Sequence, residues 1–180
     1  MAATTAIYRF TGAGPSSASV AGGLKLTRDD SNVGTTPVPI PPVSSAATNF
    51  SFPAVLGLQV TNGTGSAISN KRLYQSGSLP TGMQLFHNTE GTSPPTSNVY
   101  AQQTTYVAAT TTTVATPPTG YVAMTTNVAG TAYDTTSQTV GNGNNALAGK
   151  YVLVVFGADN TATSTGNVTL PTINLIYDEL

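Results

Sequence analysis

Six consecutive residues, Tyr151 to Phe156 (Tyr-Val-Leu-Val-Val-Phe), constrain the fold of this chain more than any other segment. The run is short, rich in β-branched and aromatic residues, and lacks the polar alternation of a strand with one face in water. Such a segment is a central strand buried on both faces. The rest of the chain must therefore supply neighbours on either side of it.

Those neighbours read as further strands. Eighteen glycines and twelve prolines punctuate the 180 residues, and no stretch carries apolar residues at i, i+3, i+4 and i+7. Strand signals recur at Ala3–Phe10, in a short Leu24–Leu26 piece, at Phe50–Val60, Ile68–Tyr74 and Met83–Phe86. They continue at Val99–Val107, Thr110–Ala115, Tyr121–Val128, Thr131–Val140, Asn167–Leu170 and Ile173–Tyr177. Turn residues separate them, among them Gly12-Ala13-Gly14-Pro15, Asn62-Gly63-Thr64-Gly65 and Gly141-Asn142-Gly143-Asn144. The expected fold is all-β: one β-sandwich or jelly roll of short antiparallel strands spanning residues 1–180. Thr35 to Val43 is different, because prolines at 37, 39, 41 and 42 remove ladder donors and favour an extended path. It reads as a stiff connector, or as an arm laid on a neighbouring copy.

Charge is scarce. Charged residues make up 7% of the chain, against about 25% in an ordinary domain. Six basic and seven acidic residues leave a net charge of -1. The basic residues Arg9, Lys25, Arg28, Lys71, Arg72 and Lys150 are scattered, which excludes a nucleic-acid footprint. The doublet Lys71-Arg72 reads as a solvated strand end. No segment has the ~20 apolar residues of a membrane-spanning helix, so neither a nucleic acid nor a membrane is an expected partner. Met1 to Phe10 lacks the features of a secretory leader, which predicts synthesis and folding in the cytoplasm. The terminal Tyr177-Asp178-Glu179-Leu180 reads as the end of a last strand.

Chemistry-bearing residues are equally few. With no cysteine, thiolate catalysis, disulfides and zinc-thiolate sites are excluded. The lone histidine, His87, lies near Glu90 past the Met83–Phe86 strand and reads as a surface-loop residue; one imidazole supplies one metal ligand. Asp29-Asp30 and Asp178-Glu179 lack the spacing of a calcium loop and read as a polar turn and a terminus. Gly141-x-Gly143-x-x-Ala146 precedes the strongest strand instead of joining strand to helix, so it is no dinucleotide fingerprint. The Gly143–Tyr151 stretch has the wrong spacing for a phosphate loop. Asn49, Asn62 and Asn167 begin glycosylation sequons of the kind a Ser/Thr-rich chain produces by chance. The aromatic residues read chiefly as core, with Tyr100, Tyr106, Tyr121 and Tyr133 the candidates for a sugar-stacking platform. No catalytic residue, cofactor site or metal site is nominated, and an enzyme is not expected.

The stretch Leu58 to Asn70, continued by Leu79-Pro80-Thr81-Gly82-Met83, resembles Ig-like repeats of bacterial surface proteins and phage virion modules, in which a Val-Thr-Asn-x-Gly turn precedes a strand and a Leu-Pro-x-Gly corner. The Thr/Ala/Gly-rich body, low charge, absent cysteine and proline-rich segment together resemble small capsid decoration or cement proteins of tailed phages. That resemblance implies a structural protein of the virion, made in the host cytoplasm. Its partners would be further copies of itself, as in a trimer, and the major capsid protein. Two other readings remain open: a tail-fibre, spike or adhesin module that binds host glycans, and a jelly-roll coat subunit.

Overall fold

The computed structural model describes residues 4–11, 16–20, 23–24, 26, 48–51, 53–62, 67–90, 121–126, 130, 132–139, 146–147, 150–162, 168–169 and 171–179. The regular structure of these residues is all strand: β1 (Thr4–Thr11), β2 (Ser16–Ser19), β3 (Thr48–Phe50), β4 (Ala54–Asn62), β5 (Ala67–Ser76), β6 (Met83–Glu90), β7 (Val122–Ala123), β8 (Gln138–Thr139), β9 (Ala146–Leu147), β10 (Tyr151–Asp159) and β11 (Thr172–Glu179). They form two antiparallel sheets, as an all-β chain should. The larger runs β2-β1-β4-β10-β6-β7, with β3 also paired to β10 and β9 to β4. The smaller runs β11-β5-β8.

β10 occupies the centre of the larger sheet, and Tyr151 through Ala158 are all buried. Alternation divides them between two faces. Val152, Val154 and Phe156 join Leu56 of β4 and Leu85 of β6, and pack against Leu73 of β5 and Ile173 and Leu175 of β11. This is the layer between the sheets. On the opposite face Tyr151 and Leu153 meet Val55 and Phe10, with Tyr8 and Tyr121 packed against them. Phe10 and Tyr151 meet edge to face, with ring centroids 5.4 Å apart. Burial of each such side chain contributes about 1.5–3 kcal/mol, which explains why this strand anchors the fold.

The expected strand Phe50–Val60 is broken, and the break has a specific cause. β3 pairs with residues 157–159 of β10 and β4 with residues 152–154, so the chain between Phe50 and Ala54 is one residue longer than the Val155-Phe156 stretch it spans. Pro53 has no N–H to give the ladder. Ser51 repairs the gap: its N–H donates to the Phe156 carbonyl at 2.8 Å, and its Oγ accepts the Phe156 N–H at 2.9 Å. Ser51→Ala is therefore expected to cost about 1–3 kcal/mol, because it leaves a buried amide donor unpaired. Urea unfolding of the two proteins measures the difference, and a change below about 0.5 kcal/mol would mean that the backbone alone closes the bulge.

Other segments also depart from expectation. Of Tyr121–Val128 only Val122–Ala123 is strand among the described residues, and of Thr131–Val140 only a bridge at Asp134 and β8, both paired to β5. The first stretch divides its hydrogen bonds between layers. Met124 N–H donates to Leu85 O of the larger sheet at 2.8 Å, while Thr125 O accepts from Gln75 N–H of the smaller sheet at 2.9 Å. A segment that crosses between sheets cannot extend a ladder in either. Leu24 and Leu26 are not strand; they lie against the inter-sheet core after a turn closed by Gly23 N–H to Val20 O at 2.8 Å. Val168 and Thr169 are not strand either. The Pro-rich 35–43 segment and the expected strands Val99–Val107 and Thr110–Ala115 lie outside the described residues.

Candidate functional site

The Lys71-Arg72 doublet is not a solvated strand end. Both residues lie inside β5, and alternation sends them to opposite faces. Lys71 shares the inward parity of Leu73 and is fully buried. Its Nζ donates to Asp134 Oδ2 at 3.1 Å and to Thr136 O at 3.1 Å. Arg72 faces outward and pairs with Asp178 of β11, whose Oδ2 also accepts from Asn70 Nδ2 at 2.8 Å. Asp178 and Glu179 thus belong to a paired strand and form no ion loop.

Asp134 is the centre of the buried cluster, and no motif marks it. Its Oδ1 accepts the Thr136 N–H at 3.0 Å, and its Oδ2 accepts the Lys150 N–H at 3.0 Å. The backbone adds two bonds, Lys71 N–H to Asp134 O at 2.9 Å and Tyr133 N–H to Lys71 O at 2.8 Å. One carboxylate therefore links β5 of the smaller sheet to Lys150, the residue that precedes β10 in the larger. Burial by itself raises the Asp134 pKa, but the Lys150 and Thr136 amides and the Lys71 ammonium outweigh it and leave the carboxyl below its ordinary range. The Asp134 carboxyl is held in its charged form.

His87 is also not in a surface loop. β6 continues to Glu90, and His87 stands between Val154 of β10 and Val122 of β7 in register, half-buried on the same face as Leu85. Its Nδ1 is buried with no hydrogen-bond partner, and burial lowers its pKa. Among the described residues no group of three or more His, Cys, Asp or Glu is placed to hold a metal. Tyr121 and Tyr133 pack on different sides of the larger sheet, Tyr121 in the outer cluster and Tyr133 against the inter-sheet core, so these two cannot form one platform. Tyr133 and Tyr151 bury their hydroxyls without partners, and burial raises both phenol pKa values, aided at Tyr133 by the Asp134 charge. Asp29, Asp30, Tyr100, Tyr106, Gly141, Gly143 and Asn167 lie outside the described residues.

The exterior has the opposite character. Its exposed positions include Ser76–Ser78, Thr81, Gln84, Thr125, Thr126, Thr135–Ser137, Asn160, Thr161, Thr169 and Thr172. Glu179 is the only charged residue among the exposed positions described. Arg9, Lys71 and Asp134 are instead buried in the interior. The candidate site is thus a surface of hydroxyl and amide groups on a rigid two-sheet frame, with neither a nucleophile and base nor a ligand set assembled among the described residues. No helix among them is long and apolar enough to cross a membrane. Comparison with family models, with curated proteins and with solved structures finds no match to this chain.

Proposed function

We propose that this chain is a structural protein of a virion, of the capsid decoration or cement type, which stabilises a shell by binding over its major capsid subunits. The observation that carries this reading is that hydroxyl and amide groups dominate the exposed positions described, in a chain of few charges that places three of them inside. A contact with many identical neighbours must desolvate its surface repeatedly, and each buried ion would cost several kcal/mol unless paired. Hydroxyls and amides avoid that cost and the like-charge repulsion between copies. They can also be satisfied by bridging water.

Saturable binding to mature shells tests the reading. Purified protein added to shells that lack it should bind at a fixed ratio and raise their resistance to heat, with little dependence on salt because few charges take part. Binding to glycans or host cells without shell binding would transfer the chain to the spike or adhesin class. Assembly into shells by itself would make it the coat subunit.

A further inference from the structure

Among the described residues, the segment Tyr121–Thr126 is tied to both sheets by a short ladder and two further backbone bonds. β7 contributes two residues, Val122 opposite His87 and Ala123 opposite Phe86. Met124 N–H to Leu85 O and Gln75 N–H to Thr125 O then join the two sheets through this one segment. Val122 is 54% exposed, so apolar burial holds β7 weakly, and Met124 is the buried anchor. Polar groups on this flank are under-satisfied: His87 Nδ1 and Gln75 Oε1 are both buried without a partner.

We propose that His87 makes this flank an acid-sensitive latch, closed while the imidazole is neutral and released from β6 when it takes up a proton. A protonated imidazole has two donors, so Nδ1 acquires an N–H that no acceptor in the closed flank receives. The residues facing His87 in register, Val154 of β10 and Val122 of β7, carry no titratable group, and neither do Leu85 and Thr89 on its own face of β6. None of these four residues offsets the new charge. The least costly way to hydrate it is to detach β7, which forfeits a two-residue ladder and two inter-sheet bonds, while the β1–β4–β10 core stays intact. Burial holds the imidazole pKa below its ordinary value of 6.5. The unfolded or opened form therefore binds the proton first, and closure weakens as pH falls from about 6.5 through the closed-state pKa. This inference does not depend on the virion reading.

Amide hydrogen exchange on the full chain at about pH 7.5 and about pH 5.5 tests it, with rates corrected for intrinsic pH dependence. The Met124 and Gln75 amides should lose about tenfold protection at the lower pH while the β1–β4 ladder keeps its own. His87→Gln, neutral at both values, should remove that loss. Unchanged protection at Met124 and Gln75, a loss shared equally by β1 and β4, or a loss that persists in His87→Gln would each overturn the latch. Should His87→Gln not fold, the native protein still decides. Its one imidazole titrates as a single resolved signal, and the opening midpoint must coincide with that titration.

Discussion

Asp134→Ala is expected to lower stability by about 3–5 kcal/mol, the largest single loss in this chain. The substitution leaves the Lys71 ammonium buried without its counter-ion, and strips acceptors from the Thr136 and Lys150 amides at the same time. Lys71→Met should cost less. The carboxylate it leaves keeps both backbone donors, and a thioether side chain occupies much of the volume of the lysine stem. The order of the two effects is the test, measured as urea midpoints at neutral pH. Equal losses would mean that the Coulombic pair, and not the backbone bonds to Asp134, holds the sheets together. The same carboxyl predicts a pH window. Its folded-state pKa is lowered from the ordinary 3.8, so its contribution is complete above that value and is lost as pH falls through the folded-state pKa. Asp134→Ala should flatten this acid limb while leaving the separate step that belongs to His87, whose pKa burial lowers below the ordinary 6.5.

Gly82→Ala should cost about 2–4 kcal/mol, and Gly77→Ala roughly 1 kcal/mol, although both glycines have positive φ. Gly82, at φ +76°, is the third residue of a turn closed by Met83 N–H to Pro80 O at 3.1 Å. A Cβ there would stand 2.4 Å from the Ala162 nitrogen and 2.6 Å from both Asp159 Oδ1 and Thr161 Oγ1. Asp159 and Thr161 form their own turn, in which Asp159 Oδ1 accepts from the Thr161 N–H at 2.7 Å and from its hydroxyl at 2.6 Å. These bonds lower the Asp159 pKa. The two turns interlock through Asp159 N–H to Gly82 O at 2.8 Å, so a methyl group can be admitted only by parting them. At Gly77, with φ +101°, the nearest atom to a Cβ is Pro171 Cβ at 3.5 Å, an ordinary contact. The difference between the two thermal midpoints therefore isolates the cost of the clash from that of the backbone conformation. Equal shifts would show that the turns separate freely.

The pair formed by Lys71 and Asp134 was half legible. Leu73 is an inward residue of a strand, so period-two alternation already places Lys71 on the core side. A charge on that side demands a partner. What the sequence withheld was which of seven acids answers, because Asp134 lies 63 residues away in a threonine-rich stretch with no motif. His87 was misplaced for a related reason. Polar residues after Phe86 suggest a loop, but strand pairing to β10 on one side and β7 on the other carries the backbone on to Glu90.

The Leu79–Gly82 corner was legible as a turn, but its destination was not. The Asn62–Gly65 signal stands between β4 and β5, which pair in different sheets, and the Leu79–Gly82 corner returns the chain from β5 to β6. The scarcity of charge and the doubly buried Tyr151–Phe156 strand follow from the sequence by itself, since composition limits how many charges can face water and a continuous apolar run has no face to give it. Which strands share a sheet, which acid meets Lys71 and which amides cross the flank were decided only by tertiary structure. The physical reason is that each depends on closing long loops, whose cost grows slowly with length and so barely discriminates among partners until packing completes the choice.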